Sequence, residues 1–161
     1  MPISKTQFLD AYQKSLDDCE AAAFVGAGLS VPAGFVGWKE LMREIANDVG
    51  LDIDEETDLI AIAQYHVNHT RARAGINRKL IEEYTKDCTH TPNHTALAAL
   101  PISTIWTTNY DHLLEDSLKA DGKRVDSKVS VANLGQSKPK RDVVVYKMHG
   151  DISDPDKAVL T

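Results

Sequence analysis

The stretch AAAFVGAGLS, residues 21–30, decides the fold class of this chain. Its first half ends in Ala-Phe-Val and is typical of a short buried strand. Gly26, Ala27 and Gly28 then predict a turn at which the backbone can approach a ligand closely. An apolar helical pattern begins at Trp38. A strand, a glycine turn and a helix in this order favour an anion, because free N–H groups and the positive end of the helix face it.

The turn differs from the common dinucleotide fingerprint at one position. That fingerprint has a third glycine three residues after the second, and Val31 stands there. The stretch is therefore related to the Rossmann pattern without being its usual form.

The order of predicted elements gives an α/β fold in one domain over residues 1–161. A helix is expected from Ser4, its cap, to about residue 20, followed by the strand at 21–25. Residues 54–100 are almost wholly helical in pattern, and an apolar stripe from Tyr110 to Leu118 predicts another helix. ISTIWTT and DVVVYKM predict buried strands, and KRVDSKVSV an edge strand. We expect a Rossmann-like open parallel sheet with a helical insertion at about 52–100, after the first strand.

Composition and charge exclude several function classes. The chain has 161 residues, 26% of them charged, and a formal net charge of −6. An acidic chain lacks the basic footprint of a nucleic-acid binder, and the short cluster at 138–141 is expected to be a solvated loop. The sequence has neither an apolar run of membrane-spanning length nor a signal-peptide core, so we expect a cytoplasmic protein that contacts no membrane.

The metal-binding residues are too few for a predicted metal site. Cys19 and Cys88 are the only cysteines, and they cannot form a four-thiolate zinc centre. His90 and His94 could be read as a metal pair, but Pro92 interrupts a continuous helix between them and no third ligand is apparent. We therefore predict no metal and no zinc.

Polar motifs follow three of the predicted strands. GAGLS follows the first strand, TNYD the second and HGD the third strong one. Because ligands bind beyond the carboxyl ends of strands in an open parallel sheet, these motifs are expected to meet at one edge. Gly26, Ala27 and Gly28 would supply backbone donors for a pyrophosphate, and Ser30 would add a hydroxyl group.

Three side chains in these motifs are candidates for chemistry. Asn109 could orient a water molecule or a ribose hydroxyl, and Asp111 could brace its turn or bind a hydroxyl. His149 is a candidate base, since histidine ordinarily titrates near about 6.5. Structural roles are the alternatives: Asn109 could cap a helix that begins at Tyr110, Asp111 could favour that helix dipole, and His149 could serve a turn.

GAGLS, TTNYD and KMHG, in this order over about residues 21–150, together resemble the sirtuin (SIR2) family. The resemblance implies that the protein binds NAD and cleaves its nicotinamide–ribose bond. It also implies that 31–37 is a mobile cofactor-binding loop, that Asn109 and Asp111 lie by the nicotinamide ribose, and that His149 is the catalytic base. The residues implied to contact the NAD phosphates and ribose are Gly26, Ala27, Gly28 and Ser30.

Two departures from the family refine this expectation. The four zinc-ribbon cysteines of the family's deacylases are absent, and a helical segment takes part of that region. DLIAIAQYHVNHT, LPISTIWTTNYDHLLE and RDVVVYKMHGD are more similar to the SIR2-like domains of bacterial antiphage defence proteins, which hydrolyse NAD and deplete it. NAD hydrolysis to ADP-ribose and nicotinamide is thus the leading hypothesis. The alternatives are an NAD-dependent protein deacylase and a non-catalytic sensor of NAD or ADP-ribose.

The second departure is length. The family's sheet continues beyond the catalytic histidine, whereas this chain stops soon after His149. We therefore expect an N-terminal fragment of a longer protein with an incomplete SIR2 fold. Regions outside the chain would then make a homo-oligomer or bind a partner defence subunit.

Overall fold

Four short parallel strands form one sheet in the order β1-β2-β4-β3. They are β1 (Ala22–Val25), β2 (Thr104–Thr107), β3 (Val125–Lys128) and β4 (Val143–Lys147). The structure is a computed structural model that describes residues 3–160; Met1, Pro2 and Thr161, at the ends of the predicted domain, lie outside the described residues. The predicted fold class is confirmed, while the domain boundaries and the limits of the insertion stay predictions.

One face of the sheet is covered by helices α1 (Lys5–Asp17), α5 (Pro92–Ala98) and α6 (Leu113–Ala120). Ile105, Val143 and Val145 are fully buried between the sheet and these helices. β2 and β4 lie in the middle of the sheet because their β-branched side chains fill this core.

The other helices build a second core at the carboxyl edge of the sheet. They are α2 (Trp38–Asn47), α3 (Leu59–Thr70) and α4 (Ala74–Tyr84), with Met42, Ile62 and Leu80 among the buried residues that they contribute. Tyr110 and Ile152, which follow β2 and β4, belong to this same core. The helices between β1 and β2 therefore form a wall beside the ends of the strands.

The first residue of α1 agrees with the sequence pattern, whereas that of α6 (Leu113–Ala120) does not. α1 begins as predicted after Ser4, whose hydroxyl accepts the N–H of Gln7 in a capping box. The helix predicted from Tyr110 begins only at Leu113. Its first turn is lost because the carbonyl group of Tyr110 accepts hydrogen bonds from Lys147 and from the N–H of Ile152.

Edge strand β3 reverses the expected alternation of polar and apolar residues. Asp126 and Lys128 are buried and form an ion pair at 2.9 Å, whereas Val125 is only partly buried. The N–H of Lys138 also donates to the Asp126 carboxylate, since the segment after β3 folds back over the strand. A pair that is buried together satisfies both charges, which alternation alone cannot predict.

Aromatic side chains lie in one row on the opposite face of the sheet. Phe24, Trp106 and Tyr146 are register partners on β1, β2 and β4, and the rings of Trp106 and Tyr146 stack with centroids 4.2 Å apart. Phe24 and Trp106 are exposed in the part of the chain that the structure describes. This face is thus much more open than the face under α1, α5 and α6.

Replacement of Ile105 tests the core between the sheet and its helices. Ile105→Ala removes a fully buried side chain and should lower the free energy of unfolding by about 3 kcal/mol, through lost burial and the cavity left behind. Ile3→Ala is the matched control, because Ile3 is 63% exposed, and it should change the value by less than about 0.5 kcal/mol. Urea titration measures both, and equal losses would contradict this assignment of the core.

Candidate functional site

A cavity of about 180 Å³ lies where the chain leaves β1, β2 and β4. Five of the seven predicted site residues line it, while Gly26 and Gly28 do not. The three motifs therefore meet at one edge of the sheet, as expected for parallel strands. The lining residues are Ala27, Ser30, Phe35, Val36, Trp38, Tyr84, Thr108, Asn109, Tyr110, Asp111 and His149.

The predicted glycine turn is a single turn of 3₁₀ helix over Ala27–Leu29. The first N–H groups of such a turn, those of Ala27 and Gly28, have no partner within it and are available to an anion. A Cβ atom built on Gly28 would meet nothing within 4 Å. Glycine here keeps open the space through which a ligand would reach the backbone.

Asn109 is held by two hydrogen bonds that cross from the second strand to the first. Its Nδ2 donates to Ser30 Oγ at 2.9 Å and to the carbonyl oxygen of Gly26 at 3.2 Å. A carbonyl oxygen only accepts, so this contact fixes the amide orientation and leaves Oδ1 as the acceptor for a ligand. The alternative in which Asn109 caps the next helix is wrong, because α6 begins four residues later.

Asp111 lines the cavity and uses one of its carboxylate oxygens for structure. Oδ1 accepts the N–H of Leu113 at 3.0 Å, which confirms that Asp111 braces its turn. Oδ2 is buried and has no hydrogen-bond partner among the described residues. A buried acceptor beside a cavity is suited to a ligand hydroxyl group or to positive charge.

His149 is held at the cavity by the backbone on both sides of it. Its carbonyl oxygen accepts the N–H of Val159 at 2.7 Å. Gly150 follows with φ of 88°, and a Cβ there would lie 3.3 Å from the backbone of Ala158, so only glycine fits without strain. Burial lowers the pKa of His149 below its ordinary value near 6.5. Its imidazole is therefore neutral at neutral pH and able to accept a proton.

A buried lysine below the cavity was not predicted as a site residue. Lys147 Nζ donates to the carbonyl oxygens of Tyr110 at 3.0 Å and Asp111 at 2.7 Å, and to Asp151 Oδ2 at 2.5 Å. Asp151 also contacts His112 Nε2 at 2.8 Å. A lysine in the otherwise apolar strand VVVYK was the available signal, since a buried charge needs a partner.

The charges around Asp151 shift two pKa values. The hydrogen bond to Asp151 raises the pKa of His112 above its ordinary value near 6.5. Burial would raise the pKa of Asp151, but the hydrogen bond from His112 and the charge of Lys147 outweigh it and hold that pKa far below its usual range. Asp151 is therefore ionised at neutral pH beside the ammonium group of Lys147.

Loop 31–37 is held to α4 at two points. The N–H of Val36 donates to Glu83 Oε1 at 2.5 Å, and the ring of Phe35 packs 5.5 Å from that of Tyr84. The loop thereby forms one wall of the cavity. Its mobility stays a prediction.

Aromatic side chains that were not predicted as site residues form the other walls. Trp38 and Tyr84 line the cavity, and the ring of Tyr110 lies 5.4 Å from Tyr84 and 6.4 Å from His149. Burial raises the pKa of Tyr110 to about 12, so its hydroxyl group stays protonated. The apolar stripes that contain these residues carry no signal that separates a cavity wall from core.

His94, one of the two histidines considered as a metal pair, takes part in a helix cap. His94 Nδ1 accepts the N–H of Thr91 at 3.1 Å within the capping box of α5. Among residues 3–160, no group of three or more His, Cys, Asp or Glu side chains is arranged to hold a metal ion. Within the same residues, no helix combines the length and the apolar surface needed to cross a membrane.

The parallel sheet, with a cavity at its carboxyl edge, is of the Rossmann-like class, in which ligands bind at this edge. Residues 103–161 match the family model described as SIR2-like domain. The resemblance predicted from the motifs is thus confirmed over the part of the chain that carries TTNYD and KMHG, which is similar to a SIR2-like domain.

Relatives named NAD(+) hydrolase ThsA match nearly the whole of this chain. The chain is 50% identical to that of Acinetobacter baumannii (strain 532279) over 95% of this chain and 32% of the relative. Identity is 45% to that of Bacillus cereus (strain MSX-D12), over 95% of this chain and 32% of the relative. Identity to the relative from Cytobacillus dafuensis is 44%, over 99% of this chain and 32% of the relative. The chain thus spans about a third of the length of the relatives it matches.

The contact between His112 and Asp151 makes stability depend on pH. The pKa of His112 is raised on folding, so its protonated form stabilises the fold below about 6.5 and this contribution is lost as pH rises through the folded pKa. His112→Gln should therefore lower the free energy of unfolding more at about pH 6 than at about pH 9. Urea titration at both pH values measures this, and an equal loss at both would exclude a charged contact.

Proposed function

We propose that the protein is an NAD hydrolase, which cleaves the nicotinamide–ribose bond of NAD to give ADP-ribose and nicotinamide. One observation carries the proposal: Ser30, Asn109, Asp111 and His149 reach a single cavity from three strand ends. The 40–50% identity to relatives named NAD(+) hydrolase ThsA supports the same activity.

The binding of NAD follows from the donors and acceptors at the cavity. The pyrophosphate would lie at the N–H groups of Ala27 and Gly28, where the 3₁₀ turn begins. Asn109 Oδ1 and Asp111 Oδ2 would accept hydrogen bonds from the nicotinamide ribose or from the attacking water molecule. The aromatic walls would exclude bulk water from the nicotinamide.

The reaction needs a positioned water molecule and a base. The bond between ribose C1′ and the nicotinamide nitrogen breaks, and neutral nicotinamide leaves with the electron pair. The water oxygen bonds to C1′ and its proton passes to neutral His149. The Asp111 carboxylate would stabilise the positive charge that develops on the ribose, as carboxylates do in glycoside hydrolysis. No acid is required, because the leaving group gains no proton.

The cellular setting is part of the same proposal and rests on the resemblance of the motifs. NAD depletion by a cytoplasmic enzyme would serve antiphage defence. Regions outside this chain would form a homo-oligomer or bind a partner defence subunit.

Turnover of NAD by the natural full-length protein is the first test. ADP-ribose and nicotinamide should form without any acylated peptide, and His149→Ala and Asn109→Ala should each lower kcat at least about a hundredfold, because each loses a group that acts on the water molecule. Chromatography of the products measures this. The matched controls, His69→Ala and Asn93→Ala on exposed helix surfaces, should retain full activity. Binding of NAD without turnover in any variant would favour a sensor instead.

The pH profile tests the role of His149 separately. Because burial lowers the pKa of His149, the neutral base should persist below about pH 6.5, and kcat/KM should fall only as the pH drops through that lower pKa. Initial rates at saturating and limiting NAD give the profile. A rate that rises as His149 becomes protonated would contradict its role as the base.

A further inference from the structure

We propose that Lys147 and Asp151 are positioning residues that hold the Asn109 loop and the His149 loop at their working distance. This inference rests on the proposed function, since the two loops carry its reacting groups. It concerns a buried ion pair that lies beneath the cavity and does not line it.

The geometry of Lys147 supports this role. An ammonium group has three donors, and those of Lys147 have three acceptors: the carbonyl oxygens of Tyr110 and Asp111, and Asp151 Oδ2. Tyr110 and Asp111 directly follow Asn109, and Asp151 lies two residues after His149. One charged group therefore bonds to both loops, while Glu115 Oε1 of α6 lies 3.4 Å from the same Nζ as a second carboxylate.

Asp151 is itself fixed from three directions. Its carboxylate accepts the N–H of Ser153 at 2.8 Å and the Ser153 hydroxyl at 2.5 Å, besides its contact with His112. The loop after β4 is thus closed on itself before it meets Lys147. The N–H of Ile152 also donates to the carbonyl oxygen of Tyr110 at 3.1 Å, which adds a second link between the loops.

This arrangement does more than a buried pair needs for stability alone. Lys128 and Asp126 form an equally buried pair at 2.9 Å, but they share one edge strand and connect no two loops of the cavity. The two pairs are matched in burial; they differ in the connection to the site and in the second carboxylate of Lys147, Glu115 Oε1 at 3.4 Å.

The experiment compares Asp151→Asn, the double variant Lys147→Met/Asp151→Asn in a Glu115→Gln background, and Asp126→Asn in the natural full-length protein. Asp151→Asn leaves the Lys147 ammonium buried with only Glu115 Oε1, at 3.4 Å, as a carboxylate partner, so both stability and kcat should fall. The double variant removes both charges of the pair, and its background removes the Glu115 carboxylate that would otherwise lose its cation, so it should regain stability. Its kcat per folded molecule should stay at least about tenfold below that of wild type. The carbonyl groups of Tyr110 and Asp111 lose their donor, so the Asn109 loop can shift. KM should change less than about threefold, since the groups that bind NAD remain.

A control variant, Asp126→Asn, and amide hydrogen exchange of the loop separate a positioning role from an effect on stability alone. Asp126→Asn should lower the melting temperature while kcat stays within about twofold of wild type. Amide hydrogen exchange over residues 108–113 should speed up in the double variant and stay unchanged in Asp126→Asn. Ser153→Ala, which removes only a hydroxyl, should lower kcat by about twofold or more and keeps the test available if the larger changes do not fold.

The outcomes distinguish this inference from the proposed function. Wild-type protein without NAD turnover would count against the proposed function, while amide hydrogen exchange over residues 108–113 would still show whether Lys147 and Asp151 hold the loop. Active wild type whose double variant regains kcat together with stability would overturn the positioning role. Unchanged exchange over 108–113 in the double variant would overturn it as well.

Discussion

The buried ammonium group of Lys147 is the interaction on which the arrangement of the site depends. Burying a charged group costs roughly several kcal/mol of desolvation free energy, which is offset only if its partners are close and well oriented. Here the partners are two carbonyl oxygens that would otherwise belong to the first turn of α6 and a carboxylate from the next loop, with the Glu115 carboxylate of α6 at 3.4 Å. The cost of burial is thus offset in full only when both loops are in place. The charge of Lys147 is therefore fully paired only in the conformation in which the two loops lie together.

The parallel sheet brings segments that are distant in sequence together at the site. β1, β2 and β4 are adjacent and parallel, so their carboxyl ends lie side by side although residues 25 and 147 are far apart in sequence. The hydrogen bonds of Asn109 Nδ2 join the first and second strand ends, and Lys147 joins the second and the last. Both neighbouring pairs among these three strand ends are thereby linked by a side chain.

The sequence predicted what depends on local pattern and missed what depends on a partner. The strands, the cap at Ser4 and the meeting of three motifs follow from short runs of residues and from the geometry of parallel sheets. Tyr110 fits a helical stripe, yet it lies in a loop because Lys147 holds its carbonyl group. Asp126 and Lys128 point inward on β3 because they neutralise each other. No periodicity encodes such pairings, whose partners are set by the tertiary structure.

The electrostatics of the cavity suit a reaction that creates positive charge on a sugar. Burial keeps His149 neutral, and the hydroxyl of Tyr110 stays protonated, so neither adds a charge of its own. Asp111 Oδ2 is an acceptor without a partner among the described residues, enclosed by aromatic walls. A carboxylate interacts with a cation more strongly in such a setting than in water. The Lys147 charge would oppose this effect if it stood alone, but two carboxylates face it, Asp151 at 2.5 Å and Glu115 at 3.4 Å from its Nζ. The same ion pair that fixes the loops therefore keeps the negative character of the Asp111 carboxylate available to the proposed transition state.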